Sequence, residues 1–504
     1  MANTIAREGA RSTLITFVGA GIGLFTTLFV LTKYLSPEEV GLTRLVIEVA
    51  TLLSGLGLLG LTTSINRYFP YFKDESSSAD GGRRQVHHGF LFYVLVVALL
   101  GCLVAFPLYG LLHLPISEVF GRNSALFVDY YWLVLPLSLA IVLWTIWELY
   151  AIQLLHLSAP KTIREILLRL LMLGLYLLYA AHWLSLDGLV WGLIVVYVLC
   201  CVIALGYLGR LIPLSLKHDW AFVPQQMRRG FGRFTALAVL STVGTMLATR
   251  MDLLMVTIVD EGGLGSTAIF SIAFFMASFI DIPTRAIISI TTPHIAQAMK
   301  DRDHERTSTL YQQTSYYQLF VGLVIFALLW ANIDNIYSIM PQGELYRGGK
   351  HAFLLLALAK IVEITLTGSH PIVSCSPYYH WNLYYTLGFC AVAFLANLYL
   401  IPLWGVEGAA AATLLSNLVC YGLQQGLLWH RLGIHPLSTR QLLLLPLVGV
   451  LFLLGWLLPS WNNSWIDLIL RSAALLLATL GLGYVLGLSP EAEAFVRQRI
   501  FRQR

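Results

Sequence analysis

Apolar runs of about twenty residues recur along the whole 504-residue chain, and they restrict what it can fold into. Only 12% of the residues are charged, whereas a soluble domain averages roughly 25%. A helix needs ~20 mostly apolar residues to cross the hydrocarbon core of a bilayer. We therefore predict an all-α polytopic membrane protein with about fourteen transmembrane helices.

The charged loops between these helices predict the orientation of the chain. The predicted spans, numbered 1 to 14, are residues 13–34, 42–65, 89–111, 127–151, 165–183, 187–209, 234–256, 265–289, 316–338, 351–374, 383–403, 406–429, 441–459 and 465–487. With a cytoplasmic N-terminus, 23 Lys and Arg residues lie on the cytoplasmic side and 6 on the other. Cytoplasmic loops are enriched in Lys and Arg, so both termini are predicted to be cytoplasmic. The first helix is predicted to be uncleaved.

A polar stretch at 210–233 separates six spans from the next eight. Each half opens with two spans joined by a short acidic hairpin, Ser36-Pro37-Glu38-Glu39 in the first and Asp260-Glu261-Gly262-Gly263 in the second. Because six spans separate the two copies, both have the same orientation, as in the parallel repeats of transporters. The predicted divisions are an N-terminal lobe at 1–215, a C-terminal lobe at 216–435, and two extra helices with a basic cytoplasmic tail at 436–504.

Charged residues within the spans are the candidate functional residues. Such charges are costly in a bilayer and usually face a bundle interior or a wet cavity. From the outer end inward, the candidate cations are Arg44, Arg250, Lys360 and Arg285, and the carboxylates near them in sequence are Glu48, Asp252, Glu363 and Asp281. Pro283 is expected to kink or loosen span 8 beside the last pair.

Cations at graded depths suit a pyrophosphate or another anionic head-group, so the four cations are predicted to bind substrate. The four carboxylates are predicted to couple transport to protons or sodium. The alternative is that the charges form four independent intrahelical pairs, since residues three or four apart share one helix face.

Other chemistries find little support in the sequence. The chain has no phosphate-binding loop, no Cys or His metal cluster and no nucleophile elbow, so we predict no metal, no cofactor and no enzymatic activity. Its basic residues are spread over many loops, which disfavours a nucleic-acid partner. The spacing of His182 and Asp187 matches an acyltransferase pattern, but it falls in a tight outward turn that a cytoplasmic acyl donor could not reach. The six cysteines lie in apolar runs and are predicted to be small buried hydrophobes.

The N-terminal region carries a further pattern. It runs Thr16-Phe17-Val18-Gly19, then Leu35-Ser36-Pro37-Glu38-Glu39-Val40-Gly41, then Leu56-Gly57-Leu58-Leu59-Gly60-Leu61 and Arg67. With the fourteen spans and the parallel repeat, this pattern resembles the O-antigen or oligosaccharide-lipid flippases of polysaccharide biosynthesis. They belong to the multidrug/oligosaccharidyl-lipid/polysaccharide exporter superfamily. Asp252, Pro283 and Pro293 resemble that family's second repeat, where Phe270 replaces the usual tyrosine.

The resemblance implies two six-helix lobes around a central cavity lined largely by spans 1, 2, 7 and 8, with two extra C-terminal helices. It implies alternating access that moves an undecaprenyl-pyrophosphate-linked glycan to the outer leaflet of a bacterial inner membrane. The implied pathway is O-antigen, capsule or exopolysaccharide biosynthesis. The implied partners are the lipid-linked oligosaccharide and membrane lipids, with a glycan polymerase and glycosyltransferases in the same pathway.

Three alternatives stay open at this point. Lipid II flippases and cation-coupled multidrug antiporters share this fold, so the fold does not choose the cargo. Extra spans 13 and 14 also occur in lipid II flippases. A polymerase or ligase of glycan assembly would be expected to carry a sizeable outward loop with catalytic polar residues, which this chain lacks.

Overall fold

A computed structural model describes residues 2–62, 64–65, 69, 74–77, 83–86, 89–154, 156, 158–212, 244, 246–247, 249–459 and 461–485. The chain divides into two compact units, Met1–Ala268 and Ile269–Arg504. Ten helices in the described ranges are long and apolar enough to cross a membrane. These helices confirm an all-α polytopic membrane protein, while the count of fourteen crossings and the three predicted divisions stay predictions.

The first unit is built from long helices joined by short ones. Its helices are α1 (Ala2–Phe25), α2 (Pro37–Gly57), α3 (Phe90–Leu111), α4 (His113–Gly121), α5 (Ala125–Asp129), α6 (Val134–Gln153), α7 (Ser158–Thr162), α8 (Leu168–Ala180), α9 (Leu186–Leu211), α10 (249–259) and the start of α11 (Gly263–Ser278). Two π-helical segments, Thr26–Leu31 and Ile163–Leu167, continue α1 and precede α8. Strands β1 (Asp74–Ser77) and β2 (Arg83–Val86) pair antiparallel.

The first acidic hairpin has a clear local cause. The amide of Glu39 donates to the Ser36 hydroxyl at 3.2 Å, and the Ser36 amide donates to the Glu39 carboxylate at 2.8 Å. This capping box, with Pro37 at the first helical position, fixes where α2 begins. Gly41 then allows α2 to approach α11, because a Cβ there would overlap the Leu264 carbonyl.

Apolar side chains fill the core of the first unit and also lie on its outer surface. Inside, Phe69 packs edge-on against Phe90 and Tyr150, with ring centroids 5.7 and 5.2 Å away. Outside, Leu103 and Val104 of α3 are 67% and 65% exposed. Contiguous exposed apolar surface of this kind indicates contact with lipid, which agrees with a membrane-spanning α3.

The second unit continues as a helical bundle. Its elements are the rest of α11, α12 (Ile282–Lys300), α13 (His304–Ala331), α14 (Ile333–Ile339), α15 (Gly343–Tyr346), α16 (Lys350–Leu366), α17 (Ser369–Ser374), α18 (Trp381–Leu432), α19 (Thr439–Leu442), α20 (Leu444–Leu457) and α21 (Ser464–Val485). A 3₁₀ turn, Phe279–Asp281, interrupts the predicted span 8 just before Pro283. The expected disturbance near this proline is therefore present.

Helix α18 contains two of the predicted spans. Its 52 residues would be about 78 Å long if straight, whereas the hydrocarbon core is ~30 Å thick. The chain bends at Gly405, whose φ of 55° and ψ of −129° are not helical. This break lies between the predicted spans 383–403 and 406–429.

The prediction of six buried cysteines is correct for four of them. Cys102, Cys200, Cys201 and Cys420 are buried, whereas Cys390 is half-buried and Cys375 is exposed. The reason is local: α17 ends at Ser374, and Cys375 lies in the turn that follows.

We expect cysteine labelling in whole cells to report the orientation. In a Cys375→Ser background, Gln342→Cys should react with a membrane-impermeant thiol reagent, because Gln342 is exposed and lies on the predicted outer side. Gln225→Cys, outside the described residues, should react only after the cells are permeabilised. Labelling of Gln225→Cys in intact cells, with protection of Gln342→Cys, would reverse the orientation.

Candidate functional site

Glu48 and Arg250 form an ion pair across two helices of the first unit, α2 and α10. Their side chains are 18% and 39% exposed, so the pair is partly shielded from its surroundings. Asp252, also on α10, is buried. The pair joins two of the predicted site residues, and Glu48 therefore does not belong to an independent intrahelical pair.

Arg44 lies one turn before Glu48 on α2 but contacts a different element. Its Nη2 donates to the Thr27 hydroxyl at 3.0 Å. Thr27 belongs to the π-helical segment Thr26–Leu31, and π-helical turns are frequent at functional sites. Because a hydroxyl is neutral, this contact positions the guanidinium without cancelling its charge.

Two further ion pairs of the first unit were missed by the sequence prediction. Arg164 Nη1 lies 3.1 and 3.0 Å from the two carboxylate oxygens of Glu148. Arg169 Nη2 lies 2.8 Å from Glu165. Arg164 lies just before predicted span 5 and Arg169 lies near its start, and both are among the 23 basic residues assigned to the cytoplasmic side. The four-residue spacing of Glu165 and Arg169 could have revealed the second pair.

The phenol ring of Tyr197, which is buried on α9, lies beside one of these pairs. Its ring packs edge-on against Trp144 at 5.8 Å, and the Arg164 guanidinium lies 5.9 Å from the Trp144 ring. We call Arg44, Glu48, Glu148, Arg164 and Arg250 the first-unit charge cluster.

Lys360 and Glu363 form the corresponding pair in the second unit, with 2.7 Å between Nζ and Oε2. Their side chains are 16% and 34% exposed. Lys360 Nζ also lies 5.5 Å from the centroid of the Phe274 ring. Both residues are on α16, so the hypothesis of an intrahelical pair holds here.

The last predicted pair is only partly described. Asp281 immediately precedes α12, and its Oδ1 accepts a hydrogen bond from the Thr284 hydroxyl at 2.9 Å. The side chain of Arg285 lies outside the described residues. Its predicted pairing with Asp281 therefore stays a prediction.

Polar contacts also fix the hairpin between α10 and α11. Asn123 Nδ2 donates to the carbonyls of Ile258 and Asp260 at 3.0 and 3.1 Å. The Ser124 hydroxyl donates to the Thr257 carbonyl at 3.1 Å. These bonds join the turn between α4 and α5 to the second acidic hairpin. Both segments lie on the predicted outer side.

The chemistry available at these positions is recognition of an anion. Guanidinium groups offer several donors in a fork that matches carboxylate or phosphate oxygens. Within the described residues, no group of three or more His, Cys, Asp or Glu side chains is placed to hold a metal ion. The carboxylates of the cluster instead lie close to cations. An anionic ligand can replace a carboxylate as the partner of its cation.

Comparison with known proteins identifies the fold. No protein-family model matches the sequence, and no curated protein matches it. Solved structures show that the chain has the fold of MOP superfamily transporters. Lipid II flippase MurJ, in an inward closed conformation, aligns with a TM-score of 0.70 over 97% of this chain and 99% of that chain, at 13% identity.

Two further structures align over less of the chain. An inward-facing multidrug resistance MATE family transporter of the MOP superfamily has a TM-score of 0.55, 18% identity, and covers 83% of this chain and 94% of its own. A MOP superfamily transporter from Pyrococcus furiosus has a TM-score of 0.56, 16% identity, and covers 85% and 95%. The descriptions of these three structures name flippases and transporters. Membership of the polysaccharide-flippase family stays a prediction.

Proposed function

We propose that the protein is a flippase that moves an undecaprenyl-pyrophosphate-linked oligosaccharide across the bacterial inner membrane by alternating access. The observation that carries this proposal is the extent of the alignment with a lipid II flippase. This alignment covers 97% of the chain. The alignment with the MATE transporter covers 83% and leaves 17% of the chain unmatched. The unmatched share is of the order of the C-terminal segment 436–504. A fold that matches along its full length favours a lipid-linked cargo.

The charged residues supply a chemical basis for this cargo. A pyrophosphate needs cations that are available inside an otherwise apolar bundle. Arg44 and Arg250 in the first unit and Lys360 in the second meet this need, and we assign Arg285 the same role. Before cargo arrives, Glu48 and Glu363 lower the cost of keeping Arg250 and Lys360 in the membrane. A pyrophosphate oxygen can then take the place of the carboxylate at each cation.

The carboxylates have a second role in this proposal. When a pyrophosphate displaces Glu48 or Glu363 from its cation, the released carboxylate can accept a coupling cation in place of its former partner. Asp252 and Asp281 are assigned the same ion-coupling role. Binding of the anionic head and of the coupling ion would then favour each other, which is the linkage that coupled transport requires.

Alternating access also requires contacts that break. If the lobes are 1–215 and 216–435, the bonds from Asn123 and Ser124 to the second acidic hairpin connect the two lobes. We propose that these bonds hold the outer side closed and break when the cargo leaves. In this pathway, glycosyltransferases would supply the lipid-linked oligosaccharide, and a glycan polymerase would consume it.

Transport of lipid II is the second candidate, because the same full-length alignment is with a lipid II flippase. A cation-coupled multidrug antiporter is supported by the MATE neighbours, but over a smaller share of the chain. The three candidates differ in cargo, so one reconstituted assay can compare them.

The assay uses purified protein in liposomes that contain a fluorescent lipid-linked oligosaccharide in the starting leaflet. Flipping exposes the label to a membrane-impermeant quencher, and we expect the protein to accelerate this exposure over protein-free vesicles. Fluorescent lipid II and a cationic dye are tested in parallel vesicles. Faster flipping of lipid II would favour the lipid II flippase. Protein-independent flipping of both lipids, together with cation-driven dye export, would favour the antiporter.

A further inference from the structure

A cavity of ≈ 600 Å³ lies in the second unit, away from Lys360 and Glu363. Its walls come from the end of α13, the start of α14, the start of α16, the end of α20 and the first part of α21. In the predicted topology, all of these helix ends lie at the outer face of the membrane. No role in the proposed cargo path uses this cavity.

One wall of the cavity is apolar. Leu451 and Phe452 of α20 line it, together with Ala327 of α13. Trp456, also on α20, is 80% exposed. Tryptophan is enriched where a membrane helix meets the interface. This wall has the chemistry of a surface that receives an acyl chain just below the head-group level.

The other end of the cavity carries charges of both signs. Lys350 Nζ lies 2.8 Å from each carboxylate oxygen of Asp334 and 5.7 Å from the centroid of the Trp330 ring. The side chains of Lys350 and Asp334 are 30% and 57% exposed, so both groups can be reached. Arg347 lies 3.8 Å from Asp334 but is paired with Glu344 at 2.7 Å.

Arg471 is the third charged residue of the lining, and it is already neutralised. Its Nη2 lies 3.2 Å from Asp467, and its Nη1 donates to the Gly455 carbonyl at 2.6 Å. The Arg471 and Asp467 side chains are only 12% and 4% exposed. Arg471 therefore contributes a buried and neutralised part of the lining. The accessible end presents one ammonium and one carboxylate side by side.

We propose that this cavity binds one aminophospholipid of the phosphatidylethanolamine type. Its phosphodiester would contact Lys350 and its ammonium would contact Asp334, while an acyl chain would lie against Phe452 and Trp456. A head-group that carries both signs matches this accessible pair. An anionic head-group without an ammonium would place uncompensated negative charge beside Asp334, and like charges disfavour such a partner.

The test uses the purified full-length protein and native mass spectrometry, with phosphatidylethanolamine and phosphatidylglycerol titrated separately. We expect the wild type to bind one phosphatidylethanolamine about tenfold more tightly than phosphatidylglycerol. Lys350→Gln should weaken phosphatidylethanolamine binding about tenfold. Asp334→Asn should reverse the preference toward phosphatidylglycerol, an effect that loss of a purely structural contact would not produce.

Two variants separate binding from folding. Trp456→Ser removes an exposed side chain of the apolar wall, so it should weaken lipid binding without lowering the melting temperature. Lys33→Gln, at an exposed lysine of the first unit, should leave lipid binding unchanged. Equal or tighter binding of phosphatidylglycerol by the wild type would overturn the proposal. Displacement of the lipid by inorganic phosphate alone, or unchanged binding by Lys350→Gln, would also overturn it.

Discussion

Exchange of the Glu48–Arg250 pair, in the double variant Glu48→Arg/Arg250→Glu, is expected to preserve the folded protein and to abolish flipping. The exchanged side chains can still pair across α2 and α10, so the melting temperature should stay close to that of the wild type. The new guanidinium lies one turn from Arg44 on the same helix face, so the repulsion between these like charges opposes part of the gain from the re-formed pair. Flipping should fall at least about tenfold, because the cation no longer lies where α10 places it.

The single variants provide the contrast. Arg250→Gln leaves Glu48 without its ion-pair partner, and Glu48→Gln does the same to Arg250. Each should lower the melting temperature, because removing one partner of a shielded pair leaves an uncompensated charge. Differential scanning fluorimetry and the liposome assay measure the two effects separately. If the double variant flips cargo at the wild-type rate, the pair has only a structural role and Arg250 is not a substrate-binding residue.

The chain offers a matched control for this series. Arg122 and Glu118 also form an Arg–Glu pair, but their side chains are 77% and 78% exposed and 3.9 Å apart. Exposed pairs contribute only ~0–1 kcal/mol. Arg122→Gln should therefore change neither the melting temperature nor the flipping rate. A large effect of Arg122→Gln would mean that loss of any arginine disturbs the protein.

How far the sequence predicts such pairs depends on their separation along the chain. The spacing of Lys360 and Glu363 predicted a local pair, since one turn of helix places them side by side. The partners Glu48 and Arg250 are 202 residues apart. Helical periodicity determines which face a residue occupies, but not which helix packs against that face. The partner of Glu48 could therefore not be predicted from the sequence.

Helix geometry explains the other differences. The predicted spans 383–403 and 406–429 leave a gap where α18 breaks at Gly405, whereas predicted span 2 begins at 42 and α2 already begins at Pro37. The segment Ile163–Leu167 is π-helical, and its extra residue per turn changes the face on which Arg164 lies. Simple counting assigned this arginine to a loop. Its contact with Glu148 depends on that local geometry and on the packing of α6 against it.

Loss of the Lys360 ammonium, in Lys360→Ala, is expected to abolish flipping while the protein still inserts at normal levels. Lys360 is the eleventh residue of α16, about 15 Å from its start, which is half the thickness of a ~30 Å hydrocarbon core. A charge at that depth costs ~2.5 kcal/mol or more, so removing it favours insertion and offsets the loss of the pair with Glu363. Quantitative immunoblotting of membranes and the liposome assay measure insertion and transport.

The exchange Lys360→Glu/Glu363→Lys separates pairing from cargo binding. Both charges stay on one face of α16, so the pair can re-form, but the ammonium moves by three residues, or ~4.5 Å along the helix axis. We expect the exchanged protein to insert normally and to remain inactive, because a pyrophosphate bound by Lys360 needs the ammonium at its original position. Lys33→Ala, at an exposed lysine, should retain wild-type flipping. Full activity of the exchange would show that Lys360 only neutralises Glu363, and full activity of Lys360→Ala would remove it from the site altogether.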